Sequence, residues 1–391
     1  MMSGPRIGDG FAMGDDLIAA ADSAVADALA SIQGSLPDLA FIFVSGGSPD
    51  EAAAALAYAA TATGARTSTG CNAHGVIGAG QAAEAARGVS VWVASLPSVE
   101  VRAFHLEVLR TSESIAVVGM TERRDSDVVG VMIADPWSFP VDGFVGHSHE
   151  SLRGLPLVGG LASGAGQAGD TRLLVDGHIH DRGAVGVVIG GDVSVHALVS
   201  QGCRPIGRPM TVTSAEGSTI LELAGRPALE QAKDAVAMLP TEEQPLAVRG
   251  LHLGVAVDEY ADDHAHGDFL VRGIAGADQA SGSITIGDVV EIGSTVQFLL
   301  RDADAAHDDL VSVLGHFRTT AGGGSPAGAL LFTCTGRGRA MFPSADHDST
   351  AVRRGLGVDH VAGFFAAGEI GPVGGHNHVH TFTATILAFG S

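Results

Sequence analysis

A glycine loop of the form G-x-x-A-x-G occurs three times in this chain, each time after an apolar run that reads as a strand. The copies are Gly70-Cys71-Asn72-Ala73-His74-Gly75, Gly159-Gly160-Leu161-Ala162-Ser163-Gly164 and Gly363-Phe364-Phe365-Ala366-Ala367-Gly368. The surroundings repeat as well. A strand-like run (Phe41 to Val44, Val129 to Ala134, Ala329 to Thr333) precedes a helix-like segment, then the strand feeding the loop, then a further apolar run (Val89 to Ser95, Ala184 to Ile189, Thr381 to Phe389). The pattern predicts one β-α-β-loop-β unit used three times. Gly75 and Gly164 lie 89 residues apart but Gly164 and Gly368 lie 204 apart, too unequal for a solenoid, so the third unit carries an insertion. Glycine belongs where the backbone takes positive φ or where another group closes on the main chain. The three loops therefore either line one concave site or serve as tight turns.

At 391 residues the chain predicts two domains. With 46% hydrophobic and 17% charged residues both can be well buried. The net charge of -22, with Lys233 the only lysine, leaves no basic cluster for phosphates and argues against nucleic-acid binding. That lysine follows no glycine loop, which excludes a P-loop. Three cysteines without a C-x-x-C predict no disulfide framework and a reducing cytoplasm. Asp15 and Asp16 interrupt any export signal, and no apolar run is long enough to predict a membrane span. Instead Ile18, Val25, Leu29 and Ile32 mark one face of a helix starting near Asp15.

Ser48-Pro49-Asp50-Glu51 reads as a capping box opening an alanine-rich helix, whose N-terminus either holds an anion or is simply capped. Val129 to Ala134 runs into Asp135-Pro136-Trp137-Ser138, where Asp135 is placed either to meet a ligand or to form an Asx-turn. Arg172 to Ile189 predicts a hairpin turning at Asp176-Gly177, joining the first unit in an extended mixed or antiparallel sheet. Short strands between His252 and Leu300 read as a sheet insertion, and 319–328 as a Gly/Ser/Pro linker.

Cys334 ends a strand and is followed by Thr335-Gly336-Arg337-Gly338-Arg339; guanidinium groups beside a thiol lower its pKa, and they equally suit a ligand carboxylate. The alternative is a buried small hydrophobe beside structural arginines. Cys71, Asn72 and His74 offer a thiol, an amide and a base on one loop, and Glu369 is the acid adjacent to the third loop. Histidines recur in H-x-H spacing at His147/His149, His178/His180, His264/His266 and His376/His378/His380; on one strand face His376, His378 and His380 either offer three nitrogens to zinc or are neutral surface positions, and no metal is assigned to them. Nucleophile-elbow and dinucleotide motifs are absent.

Taken together, Thr69-Gly70-Cys71 with Gly75-Val76-Ile77-Gly78, Ala134-Asp135-Pro136 through Phe139-Pro140, Leu157-Val158-Gly159-Gly160 and Gln201-Gly202-Cys203-Arg204-Pro205 resemble the N-terminal FIST domain. Cys334-Thr335-Gly336-Arg337-Gly338 and Gly363-Phe364-Phe365 through Gly368-Glu369-Ile370-Gly371-Pro372 resemble its C-terminal partner. The name abbreviates F-box and intracellular signal transduction. The resemblance implies a sensory module for small molecules such as amino acids, in a family often fused to output domains. Here 1–37 is too short for one, so a signal is expected to pass to a separate protein partner.

The expected fold is α/β: two packed domains with mixed sheets and flanking helices, divided into an N-terminal helix and extension (1–37), a FIST N-terminal domain (38–225) and a FIST C-terminal domain (226–388). The expected ligand contacts are Cys71, Asn72, His74, Gly75, Asp135, Ser138, Gly160, Ser163, Cys334, Gly336, Arg337, Arg339 and Glu369, with no catalytic residue and no cofactor assigned. Arg337 or Arg339 would meet a carboxylate and Asp135 or Glu369 an amine. The rival expectation is a cysteine-dependent hydrolase or amidohydrolase using Cys334 or Cys71.

Overall fold

A computed structural model describes residues 4–111, 114–257, 267, 269–320 and 325–390. The first repeat comprises β1 (Arg6–Met13), α1 (Leu17–Ser31), β2 (Leu39–Ser45), α2 (Pro49–Thr63), β3 (Thr67–Ala73), β4 (Gly75–Gly78), β5 (Gln81–Glu84) and β6 (Gly88–Ser95). The second comprises β7 (Val99–Arg110), β8 (Ile115–Val118), β9 (Asp127–Ala134), α3 (Val141–Ser151), β10 (Leu157–Leu161), β11 (Leu173–Val175), β12 (His178–His180) and β13 (Ala184–Gly191). The third opens with β14 (Val195–Gln201). An insertion follows: β15 (Cys203–Glu216), β16 (Thr219–Leu223), β17 (Arg226–Pro227), α4 (Ala228–Ala237), α5 (Gln244–Gly250), β18 (Leu251–Ala256), β19 (Phe269–Asp278), β20 (Ser283–Ile286) and β21 (Thr295–Arg301). The repeat resumes with α6 (Ala303–Thr320), β22 (Gly328–Cys334), α7 (His347–Leu356), β23 (Val361–Ala366), β24 (Glu369–Val373), β25 (His376–His380) and β26 (Thr383–Phe389). One compact unit is Met1–Val199, Leu310–Val379 and Thr383–Ser391, and the other is Ser200–Asp309 with His380–Phe382.

The larger unit holds three sheets, one per repeat, in the orders β1-β6-β2-β3-β11-β12, β8-β7-β13-β9-β10-β24-β25 and β14-β26-β22-β23-β4-β5. At the centre of each stands a parallel pair, β2 with β3, β9 with β10, β22 with β23. The parallel pairs confirm the β-α-β reading, since each needs a helical crossover. After each loop, however, the chain leaves its sheet. The strand following β3 pairs with β23, the strand following β10 pairs with β3, and the strand following β23 pairs with β10. The exchange is cyclic, so each sheet is completed by another repeat. The hairpin at Asp176-Gly177 forms as expected, both residues at positive φ, but its continuation β13 pairs with β9. Three sheets therefore replace the single extended sheet.

The strands alternate between two buried environments, which is why they read as unbroken apolar runs. Leu39, Phe41 and Phe43 of β2 join Val131 and Ile133 of β9 and Leu330 and Phe332 of β22 in one core. Ala40, Ile42 and Val44 face α1 and α2 instead. Aromatic edges knit the shared core, with Phe43 and Phe364 centroids 5.0 Å apart and Trp92 and Phe389 4.9 Å apart. The capping box of α2 is present: Ser48 Oγ accepts from the Glu51 N–H and Glu51 Oε2 from the Ser48 N–H. Asp16 caps α1, whose buried face is Leu17, Ala20, Ala21, Ala24, Val25 and Ala28, so the expected Ile18 turns outward. Among the described residues no helix is long and apolar enough to cross a membrane.

The insertion is a closed ring. Strand β15 pairs with both β21 and β16, completing the circuit β15-β21-β18-β19-β20-β16. Val212, Ile220, Leu253, Val296, Phe298 and Leu300 belong to its core, joined by Ala228, Ala232 and Ala235 of α4.

Candidate functional site

The three glycine loops converge, as the repeat suggested, but they interlock instead of lining an open concavity. The His74 N–H donates to Ser163 Oγ at 2.8 Å, and that hydroxyl donates to the Phe365 carbonyl. The Leu161 N–H donates to the Gly368 carbonyl at 2.8 Å and the Ala367 N–H to the Leu161 carbonyl at 3.0 Å. A Cβ on Gly75 would lie 2.8 Å from the Phe365 ring, on Gly160 2.8 Å from Ala366 Cβ, and on Gly164 2.8 Å from the Ala73 nitrogen. Close approach between loops is thus what these glycines permit.

Several expected contacts are turned to structural work. Asn72 Oδ1 accepts from the Arg172 N–H at 2.7 Å, and its Nδ2 donates to the Asp170 carbonyl at 3.0 Å. Buried Asp135 accepts at Oδ2 from the Ser138 N–H at 3.0 Å and at Oδ1 from the Thr171 hydroxyl at 2.6 Å, so its carboxylate holds backbone and a neighbouring hydroxyl within the loop. The Ser138 hydroxyl accepts from the Gly183 N–H at 2.9 Å. Cys71 is a core residue whose thiol is pushed up by burial, contrary to a reactive role. Arg339 is exposed, and its backbone N–H binds Glu84. His147 and His149 lie on α3, where i and i+2 diverge, while His264/His266 fall outside the described residues. In β25 the buried Asn377 between two histidines ties down the Leu157 N–H, Ser148 Oγ and the Leu155 carbonyl. Among the described residues no group of three or more His, Cys, Asp or Glu is placed to hold a metal ion.

What the fold does bring together is Cys334, Gly336, Arg337 and Glu369. Strand β22 ends at Cys334, where the Arg337 N–H turns back to the Cys334 carbonyl at 2.8 Å and the Thr335 N–H reaches the Ala366 carbonyl at 2.9 Å. The Gly336 N–H donates to Cys334 Sγ at 3.4 Å. Arg337 is wholly buried. Its Nε and Nη2 form a fork on Asp348 at 2.8 and 2.9 Å, its ring neighbour is Phe342, and Nη1 has no partner among the described residues. The expected carboxylate fork is therefore already filled from within the chain.

Asp348, in the first turn of α7, also accepts from the Thr333 hydroxyl at 2.5 Å and meets His347 Nδ1 at 2.9 Å. Burial alone would raise its pKa; the Arg337 charge and these hydrogen bonds outweigh that and hold the carboxyl well below the usual range. Glu369 behaves oppositely. Burial pushes it up to about 8, against the lowering effect of Thr383, Cys334 and Arg337. Burial thus favours its neutral form, which weakens the charge an amine would need. Its Oε2 accepts from the Thr383 N–H at 3.1 Å and hydroxyl at 2.8 Å, and the carboxyl is also hydrogen-bonded with the Cys334 thiol. Sequence reasoning missed Asp348, Thr333 and Thr383. An acid in the first turn of a helix reads as a cap, and a threonine in a strand carries no signal.

Separately, a cavity of about 370 Å³ is lined by Val129, Val195, His196, Leu198, His316 and Phe317. None of the expected contact residues borders it.

The fold and junction define a repeat-built α/β protein with a buried thiol, guanidinium and carboxyl where its loops interlock. The chain belongs to the FIST family: the FIST N domain matches residues 38–226 and the FIST C domain residues 228–372. An uncharacterized protein of Mycobacterium tuberculosis is 42% identical over 98% of this chain and 99% of its own length. An uncharacterized protein of Mycobacterium bovis is 40% identical over 98% of both. FIST domains are associated with signal transduction and small-ligand sensing.

Proposed function

We propose that this chain is a cytoplasmic sensor of a small carboxylate or amino acid, received at the Cys334–Arg337–Glu369 junction and signalled to a separate protein partner. One observation supports it above others: among the described residues, Arg337 Nη1 is buried there with no hydrogen-bond partner. Leaving such a group unmet costs about 1–3 kcal/mol, so a ligand that meets it gains correspondingly. A ligand oxygen would accept from Arg337 Nη1 and from the protonated Glu369, and Gly336 lies beside them. Because the third loop also holds Ser163 and completes another repeat's sheet, a ligand that favours one loop arrangement would shift strand packing beyond the site.

The test is thermal unfolding against a series of amino acids and small carboxylates. A ligand at about 100 times its dissociation constant stabilises by about 2.7 kcal/mol. The stabilisation is expected in the parent, kept in Glu369→Gln, whose amide still donates, and lost in Glu369→Met, which keeps the bulk without a donor. If no compound of either class shifts the parent, the receptor reading fails.

A further inference from the structure

We propose that Cys334 is a nucleophilic thiol that accepts an acyl group from a small ester, with Glu369 as its proton acceptor and Arg337 Nη1 as the group that meets the developing oxyanion. The site is that of the receptor reading, but the chemistry does not depend on which ligand is sensed.

Cys334 differs from the other two cysteines in its setting. It keeps 7% of its surface exposed beside half-buried Thr335 and Gly336, whereas Cys71 and Cys203 keep 0% and 1%. A backbone N–H, that of Gly336, already points at its sulfur. The fully buried Glu369 carboxyl is hydrogen-bonded with that thiol, and Arg337 Nη1 is buried without a partner among the described residues while its charge acts on both. Three roles needed for acyl transfer, nucleophile, base and oxyanion donor, thus fall on neighbouring groups.

In the first step Sγ bonds to the acyl carbon, the thiol proton passes to the Glu369 carboxylate, and the ester C–O bond breaks as that proton reaches the departing oxygen. A thioester at Cys334 and a free alcohol result. Water then attacks the thioester, giving its proton to Glu369 and on to the departing sulfur, which regenerates the thiol and releases a carboxylic acid. The titratable and charged groups acting on Glu369 are Cys334 on β22 and Arg337 after it, with Thr383 of β26 hydrogen-bonded to it; Asp348 on α7, itself held by His347, acts on Arg337. Arg337 and Asp348 neutralise each other across their fork, so the carboxyl is left to govern the profile: acylation gains with pH as Glu369 ionises.

The experiment is incubation of the full chain with p-nitrophenyl acetate, following nitrophenolate release and mapping the acetyl group by peptide mass spectrometry. Acetyl is expected on Cys334 and not on Cys71, Cys203 or Lys233, with Glu369→Gln at least about tenfold slower and without the parent's pH profile. Iodoacetamide labelling of Cys334 in the same variant, compared with the parent, separates loss of the base from loss of the fold. Acetyl placed elsewhere, no acetyl, or an unchanged rate in Glu369→Gln overturns the proposal. Acetylation of Cys334 without any stabilising ligand would leave the thiol chemistry standing and the receptor reading not; a stabilising ligand with an inert thiol would do the reverse.

Discussion

Glu369 is the residue whose state most depends on its surroundings. An ordinary glutamate titrates near 4.5, and this one is raised to about 8 by burial. In the window between those values the folded chain keeps a proton that the unfolded chain has released. Its contribution to stability is therefore full below about 4.5 and is lost as pH rises through about 8. The prediction is a fall of up to about 1.4 kcal/mol per pH unit across that window, seen as the difference between parent and Glu369→Gln in urea titrations. Parallel curves for the two proteins would mean that Glu369 is ionised in the fold. The sequence singled out Cys334, Arg337 and Glu369, because a thiol-Gly-Arg loop and an acid after a glycine loop are chemically conspicuous. It misassigned the arginine's partner, because Asp348 lies 11 residues on and meets Arg337 only after β22 and α7 take their places.

At the scale of elements, the first glycine of each loop does the same job three times. Gly70, Gly159 and Gly363 stand opposite Ile42, Met132 and Leu331 in the three parallel pairs. A Cβ would lie 1.8, 1.9 and 1.7 Å from those carbonyl oxygens, and Gly159 also holds φ at +147°. Alanine at any of the three is expected to destabilise the larger unit by about 3 kcal/mol, the upper range for overpacking. By contrast Gly146, inside α3 with open space around its Cβ, should gain about 0.5–1 kcal/mol as alanine. Denaturant midpoints for the four variants decide this; a silent change at any of the first three positions would break the equivalence of the repeats. The repetition itself was legible in the spacing of glycine and apolar runs. The exchange of strands was not, since β4, β11 and β24 are apolar wherever they pair.

At the scale of the molecule, the insertion closes its own strand ring and carries its own core. Residues 200–309 expressed alone are therefore expected to fold, with strand-rich circular dichroism and one cooperative melt. A broad, non-cooperative signal would show that the ring needs the rest of the chain. What the sequence by itself determined is everything carried by local pattern: three β-α-β units, a break in the third, the capped helix after Ser48, and the small set of residues around Cys334 and Glu369. Only the tertiary structure decided which sheet each post-loop strand completes, that the glycine loops bind one another, that the Arg337 fork is filled by Asp348, and that burial favours the neutral form of Glu369. The physical reason is common to all four. Periodicity and propensity act along the chain, whereas strand partners, buried ion pairs and desolvation are set by groups distant in sequence and adjacent only after folding.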